Sequence, residues 1–319
     1  MQIRSTLIVG TRDSILARLQ TDMALKLLKE KYPHINFEIN AAKTSGDKIL
    51  NKPLAEMGGR GVFVKELEEA LLEGSADLVV HSLKDLPTEL PNNLTLAATL
   101  ERADSRDVLL SKNNCSFSEL PAGSRVATSS RRRAAQLSSL RTDLQFVDIR
   151  GNIQTRLRKL DEGQCDAMVL AAAGLLRLGL SERISQYFSP EESTPAVGQG
   201  ALGIECRKDD KFVFELLSAI NDQRVWACTK AERAFLKKLG GGCSVPVGAH
   251  AQFVSDNEIE LKACVTSLDG KEIHAGSSRA KAQNAELLGE SLAEQLISGG
   301  AAKIIEQLLN AAPGNVSPP

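Results

Sequence analysis

Aromatic residues are scarce in this 319-residue chain: Phe, Trp and Tyr together make 4%, with one Trp and two Tyr. Reading single strands by base stacking needs such rings. No known nucleic-acid module is visible either, so a nucleic-acid partner is not expected. A charge bias is lacking too. Lys plus Arg number 39 and Asp plus Glu 40, a net charge of -1, which gives no global pull toward polyanions or membrane surfaces. The six cysteines (Cys115, Cys165, Cys206, Cys228, Cys243 and Cys264) are scattered. They form no CxxC pair, and no His or Cys cluster has metal-ligand spacing, so no metal is expected. No apolar run is long enough to cross a bilayer, which argues against a membrane partner. The N-terminal stretch runs straight into a strand pattern and has no signal-peptide cleavage pattern. The simplest expected compartment is a reducing cytoplasm with free thiols.

What is present is an ordinary globular balance, 42% hydrophobic and 25% charged. The length predicts two to three domains. Up to about residue 99, apolar strands at Leu7–Val9, Asn36–Ala42 and Ala76–Val80 alternate with helical stretches, which predicts a parallel-sheet α/β domain. Leu16, Leu19, Met23 and Leu27 share one helical face, and Phe63–Leu72 reads as a second helix. Between Thr44 and Gly61, glycines and Pro53 interrupt the periodicity, as in a mobile loop over a cleft. Residues 100–199 repeat the α/β rhythm. From about Asn221, one helix, then strands, then two helices predict a small α+β domain.

Four constellations carry chemistry. His81-Ser-Leu-Lys-Asp-Leu-Pro87 follows a buried strand, where open parallel sheets place their ligand crevice. It sets Lys84 beside Asp85, an arrangement that an exposed ion pair would equally explain; His81 itself reads as a packed strand-end residue. Thr128-Ser-Ser-Arg-Arg-Arg133 joins a strand end to a helix start, where free N–H groups and the helix dipole favour anions. A serine there can also simply cap the helix. Arg150-Gly-Asn152 with Arg156, Arg177 after Ala173-Gly174, and Arg12 after Val9-Gly-Thr11 place further arginines at strand-to-helix turns. Within 125–160 the basic residues are mostly arginine, the side chain suited to bidentate carboxylate or phosphate recognition. Two such α/β units facing each other would form an arginine-lined cleft. Finally, Gly240-Gly-Gly-Cys243 removes side chains around one thiol, so that Cys243 can reach a ligand. Most cysteines are merely small hydrophobes, and that reading stands beside it.

Together these motifs resemble the porphobilinogen deaminase family over nearly the whole chain. The most specific are Phe63-Val-Lys-Glu-Leu-Glu68, His81–Pro87, Thr128–Ser130, Arg150–Asn152, Ala196-Val-Gly-Gln-Gly200 and Gly241-Gly-Cys243. The resemblance implies an α/β fold with two type II periplasmic-binding-protein-like domains plus a small α+β C-terminal domain. Domain 1 would span 1–99 and 200–220 with the mobile loop 44–61, domain 2 would span 100–199, and domain 3 would span 221–319. It implies a monomeric cytoplasmic transferase of heme and tetrapyrrole biosynthesis, joining four porphobilinogens on a dipyrromethane primer held as a thioether by Cys243. Asp85 matches the family's catalytic carboxylate. Lys84, Ser82, Thr128, Ser129, Ser130, Arg132, Arg133 and Arg156 would bind the cofactor. Arg12, Ser14, Arg150, Arg156, Arg177 and Gln199 would bind substrate. The sequence departs from the family at Glu56, where many members carry lysine, at Arg131 for a usual leucine and at Ile15 for a usual proline. A small-anion receptor without catalysis would explain the arginines but leave Cys243 and the third domain idle.

Overall fold

A computed structural model of the chain describes residues 4–42, 44, 64–240 and 246–310. Cys243 with its two preceding glycines, Glu56, Arg60, Phe63 and all of the 44–61 loop except Thr44 lie outside the described residues.

The first sheet holds β1 (Thr6–Arg12), β2 (Asn36–Ala42), β3 (Leu78–Ser82) and β4 (Leu94–Thr99). Helix α1 (Ile15–Lys31) follows β1, and α2 (Lys65–Glu73) precedes β3. The second sheet holds β5 (Asp107–Ser111), β6 (Arg125–Ala127), β7 (Gln145–Val147), β8 (Ala167–Ala171) and β9 (Gln186–Tyr187). Its helices are α3 (Arg131–Leu140), α4 (Ile153–Asp161) and α5 (Ala172–Arg177). Strand β10 (Leu202–Arg207) then returns to the first sheet, followed by α6 (Lys211–Ser218). The last part comprises α7 (Gln223–Lys238), the meander β11 (Val247–Phe253), β12 (Glu258–Thr266) and β13 (Ile273–Lys281), and α8 (Ala285–Leu296) and α9 (Ala302–Asn310).

The two five-stranded sheets have matching orders, β2-β1-β3-β10-β4 and β7-β6-β8-β5-β9. In each, one strand runs antiparallel to both neighbours, β10 in the first and β5 in the second. Each such strand comes from beyond a crossing between the sheets. This is the type II periplasmic-binding-protein arrangement. Both faces of each sheet are covered, which is why β3, β5 and β8 read as near-continuous apolar runs. The three-stranded meander packs its inner face against α7, α8 and α9 around Phe235, Leu261, Leu292 and Ile304.

Three readings change. The buried face of α1 is not the Leu19–Met23–Leu27 stripe; Met23 and Leu27 are 43% and 38% exposed. The helix instead buries Ala17, Thr21, Ala24 and Leu28, and Thr21 donates its hydroxyl to Thr11 of β1 at 2.7 Å. Small side chains let this helix lie close on the sheet. Strands β4 and β5, not anticipated from the sequence, exist because β10 and β8 supply their partners. Among the strands expected after Asn221, β13 runs on through Lys281 at the meander's edge, where no apolar alternation marks its length.

The chain crosses between the sheets at 100–106 and at 188–201. One fully buried carboxylate ties both crossings to the third part. Glu232 of α7 accepts from Arg102 Nη1 (2.6 Å) and Nη2 (3.2 Å), from the Gly198 amide (2.7 Å) and from the Ala251 amide (2.8 Å). Gly200 in the second crossing has φ +90°, and a Cβ there would sit 2.4 Å from the Ala103 carbonyl of the first. Gly200→Ala is therefore expected to cost on the order of 3 kcal/mol, from left-handed strain plus the clash, and to lower the calorimetric melting temperature.

Candidate active site: an arginine-lined cleft between two sheets

The cleft is built from strand ends. Ser14 caps α1, its hydroxyl accepting from the Ala17 amide at 3.2 Å. Arg12, the last residue of β1, brings Nη1 within 4.0 Å of Asp85 Oδ2. Strand β3 ends at Ser82, whose hydroxyl exchanges hydrogen bonds with the Gln20 amide at 2.8 and 3.1 Å. A single 3-10 turn, Leu83–Asp85, then presents Lys84 and Asp85, both half-buried.

In the second sheet, β6 runs into Thr128, Ser129 and Ser130. Thr128 Oγ1 accepts from the Ser130 amide at 3.2 Å, Ser129 donates to the Ile149 carbonyl, and Ser130 caps α3 by accepting from the Arg133 amide at 3.4 Å. After β7, Gly151 takes φ +109° to turn the chain into α4, which Asn152 caps by accepting from Thr155 N at 2.9 Å. Arg150 Nε lies 3.3 Å from Asp148, and Arg156 Nε donates to the Gly151 carbonyl at 2.8 Å. Arg177 ends α5 and donates to the Gly200 carbonyl at 2.7 Å, while its buried Nε has no hydrogen-bond partner among the described residues.

The two halves meet electrostatically. Lys84, from the first sheet, is pushed down to about 8 by burial and then by Arg133 from the second, with Asp85 and Asp107 opposing. Burial, then Arg133 and Arg150, bring Arg156 down to about 10 against the pull of Asp148. Burial likewise lowers Arg133 and Arg177. Cations pressed together, with one orphaned guanidinium nitrogen, form a site short of negative charge. A ligand bearing several carboxylates fits it, because each would relieve repulsion and meet a preformed fork. No group of three or more His, Cys, Asp or Glu side chains suited to a metal occurs among the described residues.

Reading the sequence did not find Asp107. Fully buried at the start of β5, it accepts from Arg132 Nη1 (2.7 Å), Arg133 Nε (2.8 Å), Ser193 Oγ (2.8 Å) and Gln199 Nε2 (2.9 Å). Burial would raise its carboxyl, but the guanidinium groups of Arg132 and Arg133 hold it well below the usual carboxylate range. Gln199 also donates to the Ser105 carbonyl at 2.7 Å and accepts from Arg133 Nη2 at 3.3 Å. Arg132 spends a second bond of Nη1 on the Thr194 carbonyl, also 2.7 Å. The arginine pair and Gln199 thus form one unit around a single carboxylate. The available signal was an acid heading the apolar run Asp107-Val-Leu-Leu110.

Residues 7–215 match the family model described as "Porphobilinogen deaminase, dipyromethane cofactor binding domain", and residues 226–298 match "Porphobilinogen deaminase, C-terminal domain". The porphobilinogen deaminase of Chromobacterium violaceum is 48% identical, over 95% of this chain and 98% of that protein. That of Carboxydothermus hydrogenoformans is 46% identical, over 96% and 98% respectively. A putative methionine-binding lipoprotein from Bacillus subtilis aligns in structure at 14% identity with a TM-score of 0.43, covering 68% of this chain and 90% of that one. With two family models spanning most of its length and relatives this similar end to end, the chain belongs to the porphobilinogen deaminase family.

Proposed function

We propose that the cleft between the two five-stranded sheets is where this chain carries out the reaction of its family, with Asp85 as the catalytic carboxylate and the strand-end arginines as the polyanion holder. The chain is a transferase of tetrapyrrole biosynthesis that deaminates porphobilinogen and contains a dipyrromethane cofactor-binding domain. Four porphobilinogens are joined head to tail, ammonia leaves at each addition, and hydroxymethylbilane is freed by hydrolysis. The single observation behind the site is the convergence of Lys84, Arg133 and Arg156, with too few carboxylates to balance them.

Each porphobilinogen carries an acetate and a propionate. Arg12, Arg150, Arg156 and Arg177, with Ser14, hold these groups on incoming substrate, and Gln199, whose amide hydrogens are spent on Ser105 and Asp107, acts behind them by orienting Arg133. Lys84, Arg132, Arg133 and Arg156, with Ser82, Thr128, Ser129 and Ser130, hold those of the cofactor. When bound, the dipyrromethane would supply the free pyrrole carbon that the first ring joins, each later ring joining the one before it. Asp85 sits among these cations with its carboxylate half-exposed to the cleft. There it faces pyrrole N–H groups and stabilises the positive charge that passes to the pyrrole ring as ammonia leaves. Arg12 Nη1, 4.0 Å away, gives that carboxylate a cationic neighbour.

The anchor in this reading is Cys243, alkylated once by the primer and not a turnover nucleophile. The five described cysteines are free thiols. Cys206 and Cys228 are each pushed up to about 12, largely by burial, which makes them poor competitors for an electrophile. Domain 1 then spans 1–99 and 200–220, domain 2 spans 100–199 and domain 3 spans 221–319. The protein works as a cytoplasmic monomer. Among the described residues, no helix is long and apolar enough to cross a membrane.

Intact-protein mass spectrometry tests this directly. Wild-type protein should exceed its polypeptide mass by one dipyrromethane adduct that maps to Cys243 and is missing from Cys243→Ser. A bare wild-type mass overturns the anchor. Lys84 gives a second test. Its ammonium is lost above about pH 8 in the free protein, whereas bound carboxylates draw the proton back. KM for porphobilinogen should therefore climb as pH passes about 8, and Lys84→Arg should flatten that climb.

A further inference from the structure

The turn that carries Lys84 and Asp85 is held in different ways at its two ends. Its entry is set by the sheet: Ser82 is in register with Leu202 of β10, and the Leu83 amide donates to the Ala201 carbonyl at 3.0 Å. The backbone of the turn lies against Gly198, where a Cβ would come within 3.2 Å of both the Leu83 carbonyl carbon and the Lys84 nitrogen. Glu232 of α7 holds that glycine by its amide, at 2.7 Å. The exit has no ladder to hold it, since residues 86–93 belong to no strand. There the next residue of α7 takes over. Arg233 donates from Nη1 to the Leu86 carbonyl at 3.0 Å and from Nη2 to the Pro87 carbonyl at 2.6 Å. The Leu86 side chain shares a buried cluster with Leu83, Ala201 and Val225, the last also on α7. Two adjacent side chains of one helix thus brace the catalytic turn, Glu232 from behind and Arg233 at its exit.

The exit is stiff, so a grip on it reaches Asp85. The ring of Pro87 locks its own φ and disfavours helical geometry at Leu86, which is extended with φ -84° and ψ 122°. The Leu86 amide also closes the turn by donating to the Leu83 carbonyl at 3.1 Å. A swing of the Leu86–Pro87 segment therefore turns the peptide next to Asp85 and redirects its side chain. The planar fork of an arginine suits this task, because its two terminal nitrogens meet two successive carbonyls in a fixed geometry, whereas a lysine ammonium is a single point. We propose that Arg233 is a positioning residue for Asp85: its hydrogen bonds to Leu86 and Pro87 fix the exit of the turn and so the direction of the Asp85 carboxylate in the cleft. The inference rests on the assignment of Asp85 above. Burial brings Arg233 down to about 10 and Glu205 acts in the opposite direction, so the fork stays charged at neutral pH.

The test is a double-mutant cycle on cofactor-loaded enzyme, with wild type, Arg233→Ala, Asp85→Ala and the double variant, and with Arg233→Lys alongside. Arg233→Ala should lower kcat roughly tenfold while KM changes by less than about twofold, because a misdirected carboxylate weakens support for the transition state and leaves the arms of the substrate held. Arg233→Lys keeps the charge and can reach one carbonyl, so its loss should be smaller, roughly threefold. In the Asp85→Ala background the Arg233→Ala step should vanish, since no carboxylate remains to be aimed. An arginine with a merely structural role would slow both backgrounds alike. A loss that persists after Asp85→Ala, a loss that falls on KM, or a kcat within about twofold of wild type overturns the proposal. Unchanged turnover in Asp85→Ala alone is a different failure: it removes the role of Asp85 itself, and this proposal with it. Where Arg233→Ala fails to fold, Arg233→Lys taken through the same cycle decides.

Discussion

Asp85→Ala is expected to lower kcat by roughly 10²- to 10³-fold while leaving the cofactor adduct and the fold in place. The size follows from where the charge develops. Substrate enters with its positive charge on the aminomethyl ammonium, and that charge passes to the pyrrole ring as ammonia departs. Asp85 is the carboxylate at the tip of the β3 turn, and the groups around it (Arg12, Lys84 and Arg133) are cations that would oppose that charge. Removing Asp85 leaves the arms held and the cation unsupported, so kcat falls with little change in KM. Asp85 is half-exposed and its main partner lies 4.0 Å away, so the cost in stability is small. Porphobilinogen consumption by the loaded variant checks this, and an unchanged rate would remove Asp85 from its assigned role.

The second large effect falls on stability. Asp107→Ala should destabilise the protein by about 3–5 kcal/mol, seen as a lower calorimetric melting temperature, because it strands two buried guanidinium groups. Asp107 accepts four hydrogen bonds, two of them from Arg132 and Arg133, and none of the five residues involved is exposed. The attraction outweighs the burial penalty here, since the carboxyl is held below its ordinary range despite complete burial. A depressed carboxyl contributes stability above the unfolded aspartate range and loses it as pH falls through the folded value, so this contribution persists well into acid. Asp107→Asn keeps the shape without the charge and should fall between wild type and alanine. Both variants should also raise KM, because Arg133 and Gln199 lose the group that fixes their direction. A melting temperature within a degree or so of wild type would show that the arginines find other partners.

Much of this molecule was legible in its sequence because the relevant signals are local. A serine cap at Ser130, the Arg150-Gly-Asn152 turn after a strand, and an arginine one turn into the next helix all lie within a few residues of each other, and the structure builds each of them. His81 reads as a packed strand end and is one. Features decided by distant partners did not show. Among the described residues strand β4 has β10 as its only sheet neighbour, some 100 residues later, so its own pattern says little. Asp107 reveals itself only once α3 and the 188–201 crossing fold over it. The stripe on α1 misled for a different reason. Ala17, Thr21 and Ala24 let the helix lie close on the sheet beside Leu25 and Leu28, and that contact face leaves Met23 and Leu27 outside.

The crossing strands also set an order of events during synthesis. In the first sheet β10 lies between β3 and β4, and among the described residues β4 has no other strand partner. Until residue 207 has left the ribosome, that sheet is a three-stranded fragment with an open apolar edge along β3. The second sheet is complete at Tyr187, so its partners are all present some 20 residues earlier. The half of the cleft encoded second therefore closes first. The half encoded first must wait through the whole of its neighbour's translation, with its ends held apart by a long loop, before it can finish. Nascent chains stalled just before and just after β10 should differ sharply in protease resistance of residues 1–99, and hardly at all in residues 107–187.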